Sequence, residues 1–246
     1  MKQGIFTIIE NVNLTADIMK MRLSGDTSAI TAPGQFVNVK IDGLFLRRPI
    51  SVCDCQNDEL TLIYRVVGEG TKAMSEMLPG ACLDILTGLG NGYDLTYAGK
   101  TPLLIGGGVG IPPLYLLAKQ LIDQGASVKV IMGVRSKEEI FYKKEFEDLG
   151  AGVTVCTADG SEGIKGFVTD ALSSIGEYTY VYTCGPEPML KAVYNKTTTS
   201  GQYSFEERMG CGFGACMGCT CKTLYGNKRI CKDGPVLVKE EIKWEA

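Results

Sequence analysis

The sequence predicts a multidomain α+β protein: an N-terminal antiparallel β-barrel, a central α/β unit with a parallel sheet, and a small cysteine-dense C-terminal domain. Three observations predict it. From Gly4 to about Asn91, short β-branched and apolar runs (GIFTIIENV, QFVNVKI, PISVCDC, LTLIYRVV) alternate with Gly, Pro, Asn and Asp, the pattern of an antiparallel sheet or small barrel. After Gly99 the rhythm becomes strand, turn, helix: TPLLIGGGVG leads into IPPLYLLAKQLIDQG, SVKVIMGVR into SKEEIFYKKEFEDLG, and YTYVYTCGP into EPMLKAVYNKTT. Such alternation argues for parallel βαβ units. From Glu206 onward the chain is dense in cysteine and poor in aliphatic residues, so this segment needs a metal or a neighbour to hold its shape. The divisions drawn are residues 1–97, 98–202 and 203–246.

Composition bounds the function. The 246 residues suffice for two modest domains and an appendage, since domains commonly hold roughly 100–150 residues. With 45% hydrophobic and 22% charged residues the chain is ordinary globular material. A net charge of −3 and a pI near 5.2 supply no broad positive field, so nucleic acid is a poor partner. Polar and charged residues interrupt the N-terminus before any long apolar run, unlike a signal peptide. The most apolar window, Thr101 to Leu121, is broken by Gly106, Gly107, Gly108, Gly110 and the Pro112-Pro113 pair, which does not suit a bilayer span. A cytoplasmic protein without membrane segments is expected.

The chain holds 10 cysteines and no histidine. Without imidazole there is no Ser-His or Cys-His nucleophile pair, no Rieske-type cluster and no histidine-ligated zinc. The cysteine spacing is the strongest signal: Cys211, Cys216, Cys219 and Cys231 form C-x4-C-x2-C-x11-C. The C-x4-C-x2-C loop is the plant-type arrangement supplying three thiolates to a 2Fe-2S cluster, and the fourth comes from a later turn. Gly210, Gly212, Gly214 and Gly218 give the loop the backbone freedom to wrap closely around such a cluster. A four-cysteine zinc site is the competing reading, but zinc knuckles prefer two C-x2-C pairs. Cys221 is an alternative to Cys219 as ligand, and the spacing favours Cys219. Cys53, Cys55, Cys82 and Cys156 read as small core residues.

The α/β unit carries two glycine turns. Gly106-Gly107-Gly108-Val109-Gly110-Ile111-Pro112-Pro113 joins an apolar strand to a helix, where glycines let a pyrophosphate approach backbone N–H groups and the positive helix end. The pattern GGGxGxPP differs from G-x-G-x-x-G, which disfavours a standard Rossmann dehydrogenase. Cys184-Gly185-Pro186 closes what reads as the third strand of the unit, at the carboxyl end where open α/β sheets bind ligands. Gly107, Gly108, Gly110, Pro112, Cys184, Gly185 and Pro186 are therefore the candidate nicotinamide-dinucleotide contacts. Within Gly133-Val134-Arg135-Ser136-Lys137-Glu138-Glu139, basic and acidic residues both stand where a ribose 2′ position is read. In the barrel, Arg48 followed by Ser51 suits a flavin pyrophosphate and an isoalloxazine ring, and Gly70-Thr71 opens a helix whose N-terminus favours phosphate.

The ordered set of R-P-I-S, G-x-G-T, GGGxGxPP and CGPxPM resembles the ferredoxin-NADP reductase superfamily across essentially the whole chain. The tail ERMGCGFGACMGCTCKT, with RICKDGPV, narrows the resemblance to the electron-transfer subunits of NAD-dependent type 1B dihydroorotate dehydrogenases. The resemblance implies FAD contacts from Arg48, Pro49, Ile50, Ser51, Ile63, Tyr64, Arg65, Gly70 and Thr71, and assigns no catalytic side chain. Ile50 stands where the superfamily often has an aromatic residue that stacks on the flavin, so the ring must be covered otherwise. It further implies NAD as the dinucleotide, and a partner: an FMN-containing catalytic subunit that oxidises dihydroorotate in pyrimidine biosynthesis, two of each subunit forming a heterotetramer. Electrons would pass between the FMN and NAD through the 2Fe-2S cluster and FAD. The alternatives are the small flavin and iron-sulfur subunit of an NAD(P)H-ferredoxin transhydrogenase or a sulfhydrogenase, and, in another class, a zinc-stabilised binding module.

Overall fold

The computed structural model describes residues 1–244. Six strands close the barrel: β1 (Lys2–Asn13), β2 (Ile18–Ser24), β3 (Phe36–Val39), β4 (Arg48–Gln56), β5 (Glu59–Arg65) and β6 (Cys82–Leu89), in the order β1-β2-β5-β4-β3-β6. Alternation sorts their side chains: in β1, Phe6 and Ile8 face the core while Ile5 and Thr7 face out. All pairings are antiparallel, and the β1–β6 ladder, Lys2↔Thr87 through Thr7↔Cys82, closes the cylinder and removes free edges. Helix α1 (Glu69–Ser75) follows β5.

The second sheet is built from β7 (Leu103–Gly107), β8 (Lys129–Val134), β9 (Gly152–Thr157), β10 (Ile164–Lys165), β11 (Val181–Cys184), β12 (Gly201–Ser204) and β15 (Val236–Val238). Its order is β10-β9-β8-β7-β11-β12-β15. All neighbours are parallel except β15, which returns antiparallel to β12 through Tyr203↔Leu237. Cys184 thus ends not the third strand of this unit but the fifth, because β9 and the two-residue β10 intervene. From β7 the chain winds first through β8 and β9 on one side, then through β11 and β12 on the other. The β7/β11 junction is therefore the topological switch point, where open α/β sheets form a crevice. Helices α2 (Pro113–Asp123), α3 (Lys143–Asp148) and α4 (Glu187–Lys196) cross over between strands. The stretch expected to be one helix after β8 is broken: a short 3-10 turn covers Lys137–Glu139, and α3 begins only after Tyr142, which has a left-handed backbone (φ 62°).

The C-terminal residues add a hairpin, β13 (Thr220–Thr223) with β14 (Gly226–Arg229), before β15 rejoins the sheet. Apolar packing joins the parts. Ile18, Cys53 and Ile63 of the barrel share a core with Leu114 and Leu117 of α2, and Phe36 and Leu89 share another with Ile105, Cys219, Ile230 and Cys231. Among the described residues no helix is long and apolar enough to cross a membrane.

Candidate functional site

The two glycine turns meet at the switch point. β7 and β11 run parallel with Gly106 opposite Cys184. A Cβ at Gly110 would stand 2.2 Å from the Cys184 carbonyl oxygen and 2.6 Å from Gly185 N, so only glycine lets the turns close. Met189 lies over both: a Cβ at Gly107 would be 2.5 Å from its sulfur, and one at Gly185 2.6 Å from its Cε. Pro112 stands at the N-cap of α2 and Pro186 at that of α4. The structure thus gathers Gly107, Gly110, Cys184, Gly185 and Pro186 in one crevice, with Gly108 in the left-handed region (φ 52°) facing the barrel. Burial pushes the Cys184 thiol up to about 12, which favours the thiol over the thiolate.

Strand β4 sends its candidate residues to two sides. Pro49 lies opposite Asn38 and Ser51 opposite Phe36, whereas Ile50 packs half-buried toward the barrel core. The two adjacent arginines have different tasks. Arg47 makes paired 3.1 Å hydrogen bonds to both oxygens of Asp84. The Arg47 guanidinium in turn holds the Asp84 carboxyl below its usual range against the opposing effect of burial. Arg48 forms no ion pair among the described residues; its guanidinium donates to the Leu46 carbonyl and lies over Gly70, where a Cβ would be 2.1 Å from Arg48 Nε. The unpaired cation therefore lies beside α1. The Thr71 hydroxyl is already engaged there, accepting from Val67 N (3.0 Å) and Gly68 N (3.2 Å).

Strand β5 leads from the barrel to the crevice. Ile63 is buried in the shared core, and buried Tyr64 donates to Asn11 Oδ1 at 3.2 Å. Arg65 pairs with Asp17 (Nε to Oδ2, 3.1 Å), off the N–H axis, so Nε has no aligned hydrogen bond. Its Nη2 lies 3.7 Å from where a Cβ at Gly108 would stand. One arginine thus connects the barrel strand to the nucleotide turn. Beyond β8, Glu139 accepts from both the backbone N–H (3.2 Å) and the side chain of Arg135. Of the charged residues in this segment, Arg135 and Glu139 therefore pair with each other.

The cysteine loop presents its sulfurs to backbone donors. Cys211 Sγ accepts from Ala215 N (3.2 Å) and Cys216 N (3.4 Å), Cys216 Sγ from Gly218 N (3.5 Å), and Cys219 Sγ from Cys231 N (3.4 Å). A Cβ at Gly210 would lie 3.3 Å from Cys216 Sγ, a tight approach that glycine avoids. Burial opposes ionisation of Cys211, but N–H groups of Cys216, Phe213 and Ala215 and the Cys216 thiol bring it down to about 6. Cys231 is pushed up to about 12 by burial and by the neighbouring Cys219 and Cys211 sulfurs. No three His, Cys, Asp or Glu side chains close on one metal-ion position among the described residues. Backbone hydrogen bonds link Cys216 N to Cys211 Sγ and Cys231 N to Cys219 Sγ, and four thiols are the number a 2Fe-2S cluster takes. Donors to sulfur and a glycine-lined wrap fit a 2Fe-2S cluster. Cys221 lies on β13, its thiol raised by burial. Of the outlying cysteines, Cys53 and Cys156 are buried, Cys55 is half-buried, and Cys82, expected inside, is exposed because it faces outward at the first position of β6.

Sequence reasoning missed Asn38, Asp17 and Met189. Only Met189 left a signal, as the last residue of CGPxPM.

The family described as the iron-sulfur cluster binding domain of dihydroorotate dehydrogenase B matches residues 206–243, and an oxidoreductase NAD-binding domain matches residues 104–195. The dihydroorotate dehydrogenase B (NAD(+)) electron transfer subunit of Fusobacterium nucleatum is 44% identical over 254 residues, covering 97% of this chain and 98% of that protein. This chain belongs to that family of electron-transfer subunits. The Geobacillus sp. member is also 44% identical, over 257 residues covering 98% and 99%. The segment matched to the cluster-binding domain of dihydroorotate dehydrogenase B contains all four cysteines of the C-x4-C-x2-C-x11-C spacing, and the NAD-binding match contains both glycine turns. The iron-sulfur match replaces the zinc-module alternative. Among solved structures, an NADH-dependent reduced ferredoxin-NADP oxidoreductase studied for flavin-based electron bifurcation aligns with a TM-score of 0.88 at 29% identity, covering 97% of this chain and 90% of that one. A Neisseria gonorrhoeae ferredoxin NADP+ reductase, at 20% identity and a TM-score of 0.69, covers 80% of this chain and 90% of its own and shares the fold.

Proposed function

We propose that the chain carries electrons between NAD and a separate FMN-containing subunit that oxidises dihydroorotate, using FAD and a 2Fe-2S cluster. One observation carries this reading. Strands β3 and β5 approach both other parts: Arg65 Nη2 lies beside Gly108 of the nucleotide turn, and Asn38 bonds the cysteine loop at Cys211. FAD, when bound, accepts a hydride as an electron pair and releases electrons singly, and a 2Fe-2S cluster carries them one at a time.

The residues divide the work. Arg48, without a carboxylate partner, supplies positive charge for the FAD pyrophosphate. Pro49, Ser51 and Arg65 line the flavin, Ile50, Ile63 and Tyr64 offer it their strand backbone while their side chains turn into the cores, and Gly70 and Thr71 stand beside the phosphates. Gly107, Gly108, Gly110, Pro112, Cys184, Gly185 and Pro186 form the crevice for NAD, where absent side chains admit the dinucleotide to backbone N–H groups. Cys211, Cys216, Cys219 and Cys231 ligate the cluster, the first three sulfurs held by backbone donors. Residues 1–97, 98–202 and 203–246 then correspond to the flavin, dinucleotide and cluster parts, β15 fastening the last to the second. Two such chains with two catalytic subunits make the cytoplasmic assembly.

The apolar contact surface for that partner lies on the cluster loop. Phe213 and Met217 are exposed there, 43% and 55%. Ile230, from the same segment, is fully buried and packs beneath the loop.

Anaerobic purification followed by metal, sulfide and flavin analysis tests the assignment. Two irons, two sulfides and one FAD per chain are expected, and stoichiometric zinc or no flavin would overturn it. The structural likeness to the ferredoxin-NADP oxidoreductase favours a second reading, a transhydrogenase subunit. It requires ferredoxin, rather than the dihydroorotate-oxidising subunit, to exchange electrons with the cluster.

A further inference from the structure

Asn38 stands where the flavin strands meet the cluster loop. Its neighbours Val37 and Val39 face the barrel core, so Asn38 faces outward by the period of the strand. In the β3–β4 register it is opposite Pro49, and Phe36 is opposite Ser51. Opposed residues share a face with Cβ atoms about 5 Å apart, which puts Asn38 on the same face as Pro49 and Ser51. Its side chain is 1% exposed.

The amide meets the other part directly. Asn38 Nδ2 donates to the Cys211 carbonyl at 3.2 Å. The next residue, Gly212, has a left-handed backbone (φ +78°), and a Cβ there would be 2.3 Å from Nδ2. The loop backbone therefore presses on this amide and requires glycine to do so. A carbonyl only accepts, so the atom facing it is the NH2 group. That leaves Oδ1 buried and without a partner among the described residues. Few buried acceptors in native proteins lack a donor, so this one marks the boundary as a place completed by a bound group or ordered water.

We propose that Asn38 is a positioning residue for electron transfer: it ties the Cys211 segment to the strand pair carrying the flavin and so fixes the separation the single electron crosses. The proposal rests on the cofactor assignment above. Arg47 binds the Asn38 backbone carbonyl at 3.3 Å rather than the side-chain amide.

The test uses the cofactor-loaded protein with Asn38→Leu, similar in size without polar atoms, and Asn38→Asp, near-isosteric without the donor. NADH is mixed anaerobically with each, and the rates of flavin and cluster reduction are followed separately. Release of iron to a chelator and the cluster midpoint potential are measured in parallel. The ratio of cluster to flavin reduction rates should fall about tenfold in both variants, and iron release should quicken by a similar factor, the size expected from one lost hydrogen bond at a partly buried carbonyl. The potential should shift as the loop relaxes. An unchanged ratio and unchanged iron release in both would overturn the proposal, as would loss of FAD together with iron, which signals general damage to the barrel. A wild-type protein lacking FAD or iron would refute the cofactor assignment itself, a result visible before any variant is made.

Discussion

Gly110 lies against the carbonyl of Cys184, joining two turns 74 positions apart in the chain so closely that any side chain at Gly110 would collide with backbone. Gly110→Ala should therefore destabilise the protein by roughly 1–3 kcal/mol, the usual cost of overpacking. It should also weaken NAD binding by spreading the crevice. Gly152 is exposed, has an ordinary backbone and has only Val128 O within 4 Å, at 3.9 Å. Gly152→Ala should stay within about 0.5 kcal/mol of wild type. Denaturant titration of both variants checks this contrast, and equal losses would refute the steric account.

Arg48 and Arg47 are adjacent, yet their substitution should register in different assays. Arg48→Ala removes a charge with no protein counterion, so FAD retention should weaken by about tenfold or more, as for a charge-assisted bond of roughly 1.5–3 kcal/mol. Equilibrium dialysis followed by flavin absorbance measures the loss.

Arg47→Ala should leave FAD in place and lower stability, because it strips Asp84 of its bidentate partner. With both side chains about one-fifth exposed, solvent screening reduces the effect to about 1 kcal/mol. Asp84 has its pKa depressed in the folded state, so the contribution is complete above the unfolded carboxylate pKa of about 3.9. It is lost as the pH falls through the depressed folded value. The stability gap between wild type and Arg47→Ala, measured on metal-free protein, should thus be constant from neutrality down to about pH 5 and shrink below pH 4. A gap that widened with acid would contradict the pairing.

Cys219 and Cys221 are two residues apart but sit differently. Cys219 is buried with its sulfur bonded by the Cys231 N–H, whereas Cys221 lies on the β13 strand. Cys219→Ser should lose the cluster and Cys221→Ser should keep it, as iron and sulfide analysis of the purified variants would show. Iron loss in Cys221→Ser alone would reverse the ligand assignment.

The strand runs of the barrel and the strand–turn–helix rhythm were legible because period-2 and glycine-turn signals are local. The cysteine spacing was legible for the same reason: loop ligands to one cluster must be close in sequence. Strand β9 was passed over since GVTVCT is short and its flanks resemble a loop. The return of β15 to β12 and the closure of β1 on β6 depend on partners far along the chain, which no local pattern announces. Asn38 and Asp17 were invisible for that reason too. Each acquires meaning only through a contact, Asn38 with Cys211 and Asp17 with Arg65. The glycines of the cluster loop signalled freedom to wrap, but not that Gly212 uses it to lie against the barrel.

On the proposed function, electrons cross the cysteine loop on their way between the catalytic subunit and NAD. The most direct test of this path is reconstitution with the catalytic partner subunit, comparing wild type with Cys219→Ser that retains FAD, and measuring dihydroorotate-driven NADH formation alongside NADH oxidation by an artificial flavin acceptor. The variant should lose the dihydroorotate-driven reaction while flavin-level NADH oxidation persists. Full dihydroorotate-driven NADH formation by the cluster-free complex would contradict it.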